Sequence, residues 1–223
     1  NHYIEMGTSS QPISEWYKLK SLDDFTILNE YIKEPQIKKG VVISTSQPVA
    51  IKYSINCSLN DLKNECDILI RCSHPSIQKL IGLYESPDNN SSAMITQYCA
   101  QRSLDEYLRN TANNNNDDDD DDEDEDEEDN QDYNMQYKFI YHICQAMKHL
   151  EEKRMFHGYL NPSNILLDEE YNPILNNIKM RENYSKDEIE QSNMMINYLA
   201  PEILSGYKNS IKADVYSFGL IME

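Results

Sequence analysis

From Phe25 to Lys52 the apolar residues fall in short runs separated by turn formers: Phe25-Thr26-Ile27-Leu28, Gly40-Val41-Val42-Ile43 and Pro48-Val49-Ala50-Ile51-Lys52. β-Branched residues bounded in this way predict an antiparallel meander. Between Leu59 and Cys72 the spacing changes. Leu62, Cys66, Leu69 and Ile70 recur at helical intervals and predict one amphipathic helix. Ile77 to Tyr84 and Ala93 to Tyr98 read as two further strands, so the first half is a small sheet carrying a helix. Residues 1–23 are mostly polar and read as a lead-in.

The second half is organised differently. Ser103 suits the N-cap of a short helix from Leu104 to Asn110. Residues 113–134 are almost entirely Asn, Asp and Glu, with no apolar residue before Tyr133. A segment with nothing to bury cannot offset its ordering entropy, which predicts a disordered insertion. Tyr137 to Lys153 resumes as a helix, with Phe139, Ile140, Ile143, Met147 and Leu150 on one face. A loop at His157, short strands at Ile165 to Leu167 and Ile174-Leu175, a polar stretch over 180–193 and a helix near Asp214 follow.

Composition narrows the classes. Of the 223 residues 39% are hydrophobic, enough for a sizeable core. The net charge of −19 is uneven, because Asp117 to Asp129 is an unbroken run of 13 acidic residues and Asp132 follows. Setting those 14 aside leaves 25 acidic against 20 basic residues, a net charge of −5. No basic footprint for nucleic acid is present. The acidic run reads first as a solvated insertion and second as a contact surface for a basic partner. The five cysteines show no ligand spacing, and read as small buried hydrophobes of a reducing compartment. No apolar run reaches the length of a membrane span and no signal-peptide core is seen, so a cytoplasmic protein is the expectation. The chain starts at Asn1 and stops within the apolar stretch Val215 to Met222, which reads as an excerpt of a longer product.

Residues 157–164 read His157-Gly158-Tyr159-Leu160-Asn161-Pro162-Ser163-Asn164. The order resembles the catalytic loop of protein kinases, H-R-D-L-K-P-x-N. Four further stretches fit the same family in sequence order: Val49-Ala50-Ile51-Lys52, His74-Pro75, Tyr198-Leu199-Ala200-Pro201-Glu202 and Asp214-Val215-Tyr216-Ser217-Phe218-Gly219. The chain is therefore similar to a protein-kinase domain across roughly residues 25–223, nearest in flavour to the tyrosine-kinase-like group.

The resemblance implies roles for single residues. Lys52 would be the phosphate-binding lysine and Glu65 its helix partner, with Ala50 leaving room for an adenine ring. Thr96 would be the gatekeeper, and Gln97, Tyr98 and Cys99 the hinge whose backbone meets adenine. The three positions of the glycine-rich loop fall on Pro35, Ile37 and Gly40, so only Gly40 is kept. Tyr159 stands where the catalytic aspartate belongs, and a phenol of ordinary pKa near ~10 is a poor general base. Gly158 replaces the arginine and Asn161 the lysine of that loop. Asn164 keeps one metal-ligand position, and the metal-binding D-F-G triplet falls on Asn177-Ile178-Lys179. His157, Glu202 and Asp214 would be structural supports. Seen alone, His157 suggests a catalytic base, but the family uses this position for backbone support. The remaining histidines form no metal constellation.

Together these readings imply an α+β, two-lobed kinase-like fold ending before the last C-lobe helices, with boundaries at 24–100 and 101–223. The expected function is a catalytically impaired pseudokinase that binds nucleotide or scaffolds protein partners in signalling. The alternative is a divergent active kinase that transfers the ATP γ-phosphate to protein hydroxyls. Any ATP binding is expected to be weak and little dependent on Mg²⁺, with Lys179 either pointing to solvent or placing its ammonium where the ion would sit.

Overall fold

The computed structural model describes residues 18–19, 21–33, 36–55, 57–86, 92–114, 125–180 and 196–223. One compact unit falls within Asn1–Asp67 and Ile81–Thr96, the other within Ile68–Leu80 and Gln97–Glu223.

The first unit is built on a sheet. Strands β2 (Phe25–Lys33), β3 (Ile37–Val42) and β4 (Pro48–Tyr53) form the expected antiparallel meander, with Phe25 opposite Val42 and Gly40 opposite Val49. β1 (Lys18–Leu19), β5 (Leu80–Tyr84) and β6 (Ala93–Gln97) complete a six-stranded order β1-β5-β6-β4-β3-β2. Strand periodicity sends Val49 and Ile51 of β4 into a core with Phe25, Ala93 and Ile95. Helix α1 (Leu59–Arg71) opens on a capping box: Ser58 Oγ accepts from the Asp61 N–H at 3.1 Å, and Asp61 accepts from the Ser58 N–H at 2.8 Å.

The lead-in boundary needs correction. Lys18–Leu19 forms strand β1, parallel to β5 with Leu19 beside Tyr84, and Leu19 and Leu22 pack on the core. Gly82 makes room for Leu19, since a Cβ there would stand 2.7 Å from Leu19 Cγ. A two-residue strand is too short for periodicity to reveal. The rest of the lead-in, 1–17 and 20, lies outside the described residues, as does Pro35.

The second unit is mainly helical. α2 (Leu104–Asn114) begins under the Ser103 cap, whose Oγ accepts from the Glu106 N–H at 3.3 Å. α3 (Glu125–Glu152) buries Phe139, Ile143, Ala146, Met147 and Leu150. Ile140, expected on that face, is 36% exposed instead. β7 (Ile165–Leu167) and β8 (Pro173–Leu175) pair antiparallel. A one-turn α4 (Pro201–Leu204) and α5 (Ile211–Ile221) follow.

Both ends of the segment 113–134 are helical. α2 runs on to Asn114, and α3 already starts at Glu125, inside the acidic run; 115–124 lie outside the described residues. Extending a formed helix costs little, because each added residue gains one hydrogen bond. Carboxylates also favour the positive end of the helix dipole. Most of the polar stretch 180–193 lies outside the described residues. Cys66, Cys72 and Cys99 are buried, and burial pushes their thiols up to about 12, 11 and 12. Cys144 is exposed. Among the described residues no helix is long and apolar enough to cross a membrane.

Candidate functional site

In the first unit Lys52 and Glu65 meet as the resemblance implied. Lys52 Nζ lies 2.9 and 2.7 Å from the two Glu65 carboxylate oxygens, and the side chains are 22% and 13% exposed. Partial burial and a two-oxygen contact make this stronger than a surface pair. Ala50 and Thr96 are buried. Gly40 has a packing reason to be glycine: a Cβ there would sit 2.6 Å from Ile51 Cδ1 and 3.3 Å from the Thr26 carbonyl. At the hinge positions, the Gln97 N–H donates to the Lys79 carbonyl at 2.9 Å, and its own carbonyl accepts from Gln78 Nε2 at 3.5 Å. Tyr98 is half-buried and Cys99 buried.

In the second unit the loop 157–164 hangs on Asp214. This carboxylate is 2% exposed and accepts from the N–H groups of His157 (2.6 Å) and Gly158 (3.0 Å). Burial pushes it up to about 6, against the pull of the two N–H donors. His157 is fully buried, and burial pushes its imidazole down to about 4, so the ring is neutral. Its Nδ1 accepts from the Tyr159 N–H at 3.2 Å. Its carbonyl accepts from the N–H groups of Lys179 and Met180. Both interactions hold backbone groups of the neighbouring segments. Gly158 has φ +72°, a left-handed conformation that glycine adopts without strain. Asn209, buried and not singled out by the sequence, donates to the Gly158 carbonyl at 3.2 Å. Ser217 Oγ donates to the Tyr198 carbonyl at 2.6 Å. Neither is separable by residue type from ordinary polar neighbours.

Tyr159, at the base position, is half-buried and packs against the cluster Leu199, Ala200, Ile203 and Ala213. Asn161 serves the turn: its Oδ1 accepts from the Ser163 N–H at 3.0 Å, capping the short helical turn Pro162–Asn164, and its Nδ2 donates to the Tyr159 carbonyl. Asn164 Nδ2 donates to the same carbonyl at 2.8 Å. Asn164 Oδ1 in turn accepts from Asn177 Nδ2 at 3.2 Å. Asn177 has φ +60°, and Ile178 is buried at 1% exposure. Lys179 is exposed, and its charge helps hold the His157 imidazole neutral. Glu202 is exposed on α4 and makes no ion pair among the described residues.

A catalytic Mg²⁺ of the kinase type does not fit this donor set. Mg²⁺ relies on carboxylates together with substrate phosphates. The two positions that the resemblance assigns to metal ligands carry neutral amides, and the Asn164 oxygen is engaged by Asn177. Among the described residues no group of three His, Cys, Asp or Glu side chains is arranged to hold a metal.

A strand-borne lysine paired to a helix carboxylate, and a loop fixed by a buried aspartate, define a kinase-type fold. A profile of the family "Protein tyrosine and serine/threonine kinase" matches residues 33–223, and the chain belongs to that family. It is 27% identical over 197 residues to Cysteine-rich receptor-like protein kinase 25 of Arabidopsis thaliana, covering 84% of this chain and 27% of that protein. It is 26% identical over 196 residues to Cysteine-rich receptor-like protein kinase 6 of Oryza sativa subsp. japonica, covering 83% and 26%. It is 24% identical over 196 residues to the Putative L-type lectin-domain containing receptor kinase V.8 of Arabidopsis thaliana, covering 84% and 29%. The chain thus spans between a quarter and a third of the length of these relatives.

Proposed function

We propose that this chain is a catalytically impaired kinase domain, a pseudokinase that acts in signalling through protein contacts. The observation that carries the reading is Tyr159: the side chain at the base position is aromatic and packed on Leu199, Ala200, Ile203 and Ala213. A phenol so engaged does not serve as general base at neutral pH, and loss of a positioned base lowers a rate by about 10²–10⁴-fold. Asn177 in place of the metal carboxylate and Asn161 in place of the loop cation lower it further. The protein acts on other signalling proteins, a reading supported by the receptor-like kinase names of its relatives, and a cytoplasmic location is part of the proposal. ATP binds weakly, with Lys52 as its phosphate-side contact and with little dependence on Mg²⁺.

A second reading is a divergent active kinase. The intact Lys52–Glu65 pair favours it, since that pair serves phosphate positioning in active members of the family. A labelled-ATP transfer assay on protein substrates separates the two. Turnover that vanishes in Lys52→Ala would establish the second reading; no turnover above that control supports the first.

A further inference from the structure

Two side chains at the positions that hold metal in active kinases are joined directly in this chain. Asn177 Nδ2 donates to Asn164 Oδ1 at 3.2 Å, across 13 residues of sequence. The contact sits inside a larger neutral network. Asn164 Nδ2 is spent on the Tyr159 carbonyl at 2.8 Å, the Asn164 carbonyl accepts from the Asn176 N–H at 2.9 Å, and Asn176 Oδ1 accepts from the Asn177 N–H at 2.7 Å. Two residues further on, the Lys179 and Met180 N–H groups reach the His157 carbonyl. Segment 176–180 and loop 157–164 are therefore joined by a series of amide hydrogen bonds.

The residue types suit that arrangement. Asn177 sits at φ +60°, a region where asparagine is among the most tolerated non-glycine residues. An aspartate tolerates the same backbone, yet would present only acceptors to the Asn164 oxygen and would need a cation between them. An amide brings its own donor.

Resting on the functional reading above for the identity of these positions, we propose that the Asn164–Asn177 amide clasp replaces the divalent cation of the family, so that loop and segment are held together without metal. Asn177 is then a positioning residue. Its role is to complete a cation-free site, and the exchange of one oxygen for one N–H₂ group is what makes the metal unnecessary.

Thermal unfolding of the full-length protein tests this without reference to turnover. The unmodified protein is titrated with millimolar MgCl₂ or MnCl₂ against a matched monovalent salt. The expected result is no added shift in Tm. Stabilisation specific to the divalent ion overturns the proposal. Asn177→Asp should melt below the unmodified protein in chelator and regain stability with Mn²⁺, by about 5–10 °C once the ion exceeds its Kd a hundredfold. An Asp variant that is as stable as the parent in chelator and indifferent to Mn²⁺ also overturns it. Should that variant not fold, Asn177→Gly keeps the backbone conformation and removes only the clasp. Hydrogen exchange at the Lys179 and Met180 amides should then speed up about five- to tenfold, the effect of losing one hydrogen bond. Unchanged exchange there refutes the clasp. Phosphoryl transfer by the unmodified protein would end the pseudokinase reading and leave these outcomes untouched.

Discussion

Asp214 accepts the His157 N–H at 2.6 Å from the first turn of α5, and thereby ties the helix to the loop that would carry catalysis. The carboxylate takes a second N–H from Gly158 at 3.0 Å. The one carboxylate thus fixes the backbone of two successive residues of the loop.

Removing that tie should be costly. Asp214→Ala leaves two buried N–H groups without an acceptor, and hydrogen bonds to a charged group contribute about 1.5–3 kcal/mol each. The raised carboxyl reports a desolvation penalty that offsets part of this. The expected loss is about 2–4 kcal/mol in denaturant unfolding. A loss within ~0.5 kcal/mol would show that the loop is held by other contacts.

His157 and Asp214 respond oppositely to acid. The His157 imidazole lies at about 4, below its ordinary 6.5, so the folded protein binds fewer protons than the unfolded chain between those values. Its contribution is present above pH 6.5 and lost as pH falls towards 4. Asp214 is raised to about 6 from 3.8, so its contribution is present below pH 3.8 and lost as pH rises through 6. His74 and His142 are also lowered, chiefly by burial, and share the acid sensitivity. Unfolding free energy measured from pH 4 to 8 should fall less steeply towards acid in His157→Gln than in the parent. Parallel curves for the two proteins would contradict the burial-driven shift.

The ion pair in the first unit is expected to be modest in energy. Lys52 and Glu65 keep some solvent contact, so a double-mutant cycle of Lys52→Met and Glu65→Gln should give a coupling of about 1–2 kcal/mol. The coupling should shrink little in high salt, because the pair is partly shielded from ions. A coupling near zero would place this pair with ordinary surface contacts.

How much of this was legible in sequence depends on range. The meander announced itself because β-branched runs and turn formers act locally, and Lys52 with Glu65 because each lies in a recognisable stretch. β1 was hidden: two residues carry no period, and their placement depends on the bare backbone of Gly82. The start of α3 was hidden because acidic composition describes what a segment cannot bury, whereas a helix can continue into such a segment from a packed part. The Asn164–Asn177 contact was hidden for a third reason. Both positions were identified, but their meeting depends on the left-handed backbone at Asn177, which no residue pattern specifies.

Restoring the aspartate alone should not restore a kinase. Tyr159 is half-buried against Leu199, Ala200, Ile203 and Ala213, so Tyr159→Asp withdraws an aromatic ring from an apolar cluster and offers a carboxylate in its place. Partial loss of that buried area gives about 1–3 kcal/mol of destabilisation. Tyr159→Phe keeps the ring and should stay within about 0.5 kcal/mol of the parent. The loop cation and the metal carboxylate remain absent at Asn161 and Asn177, so Tyr159→Asp should show no phosphoryl transfer above the Lys52→Ala background. Denaturant unfolding of both variants, together with a labelled-ATP assay on the Asp variant, decides the matter. Turnover in Tyr159→Asp would mean that the tyrosine is the sole block to chemistry, and that the two asparagines are compatible with catalysis.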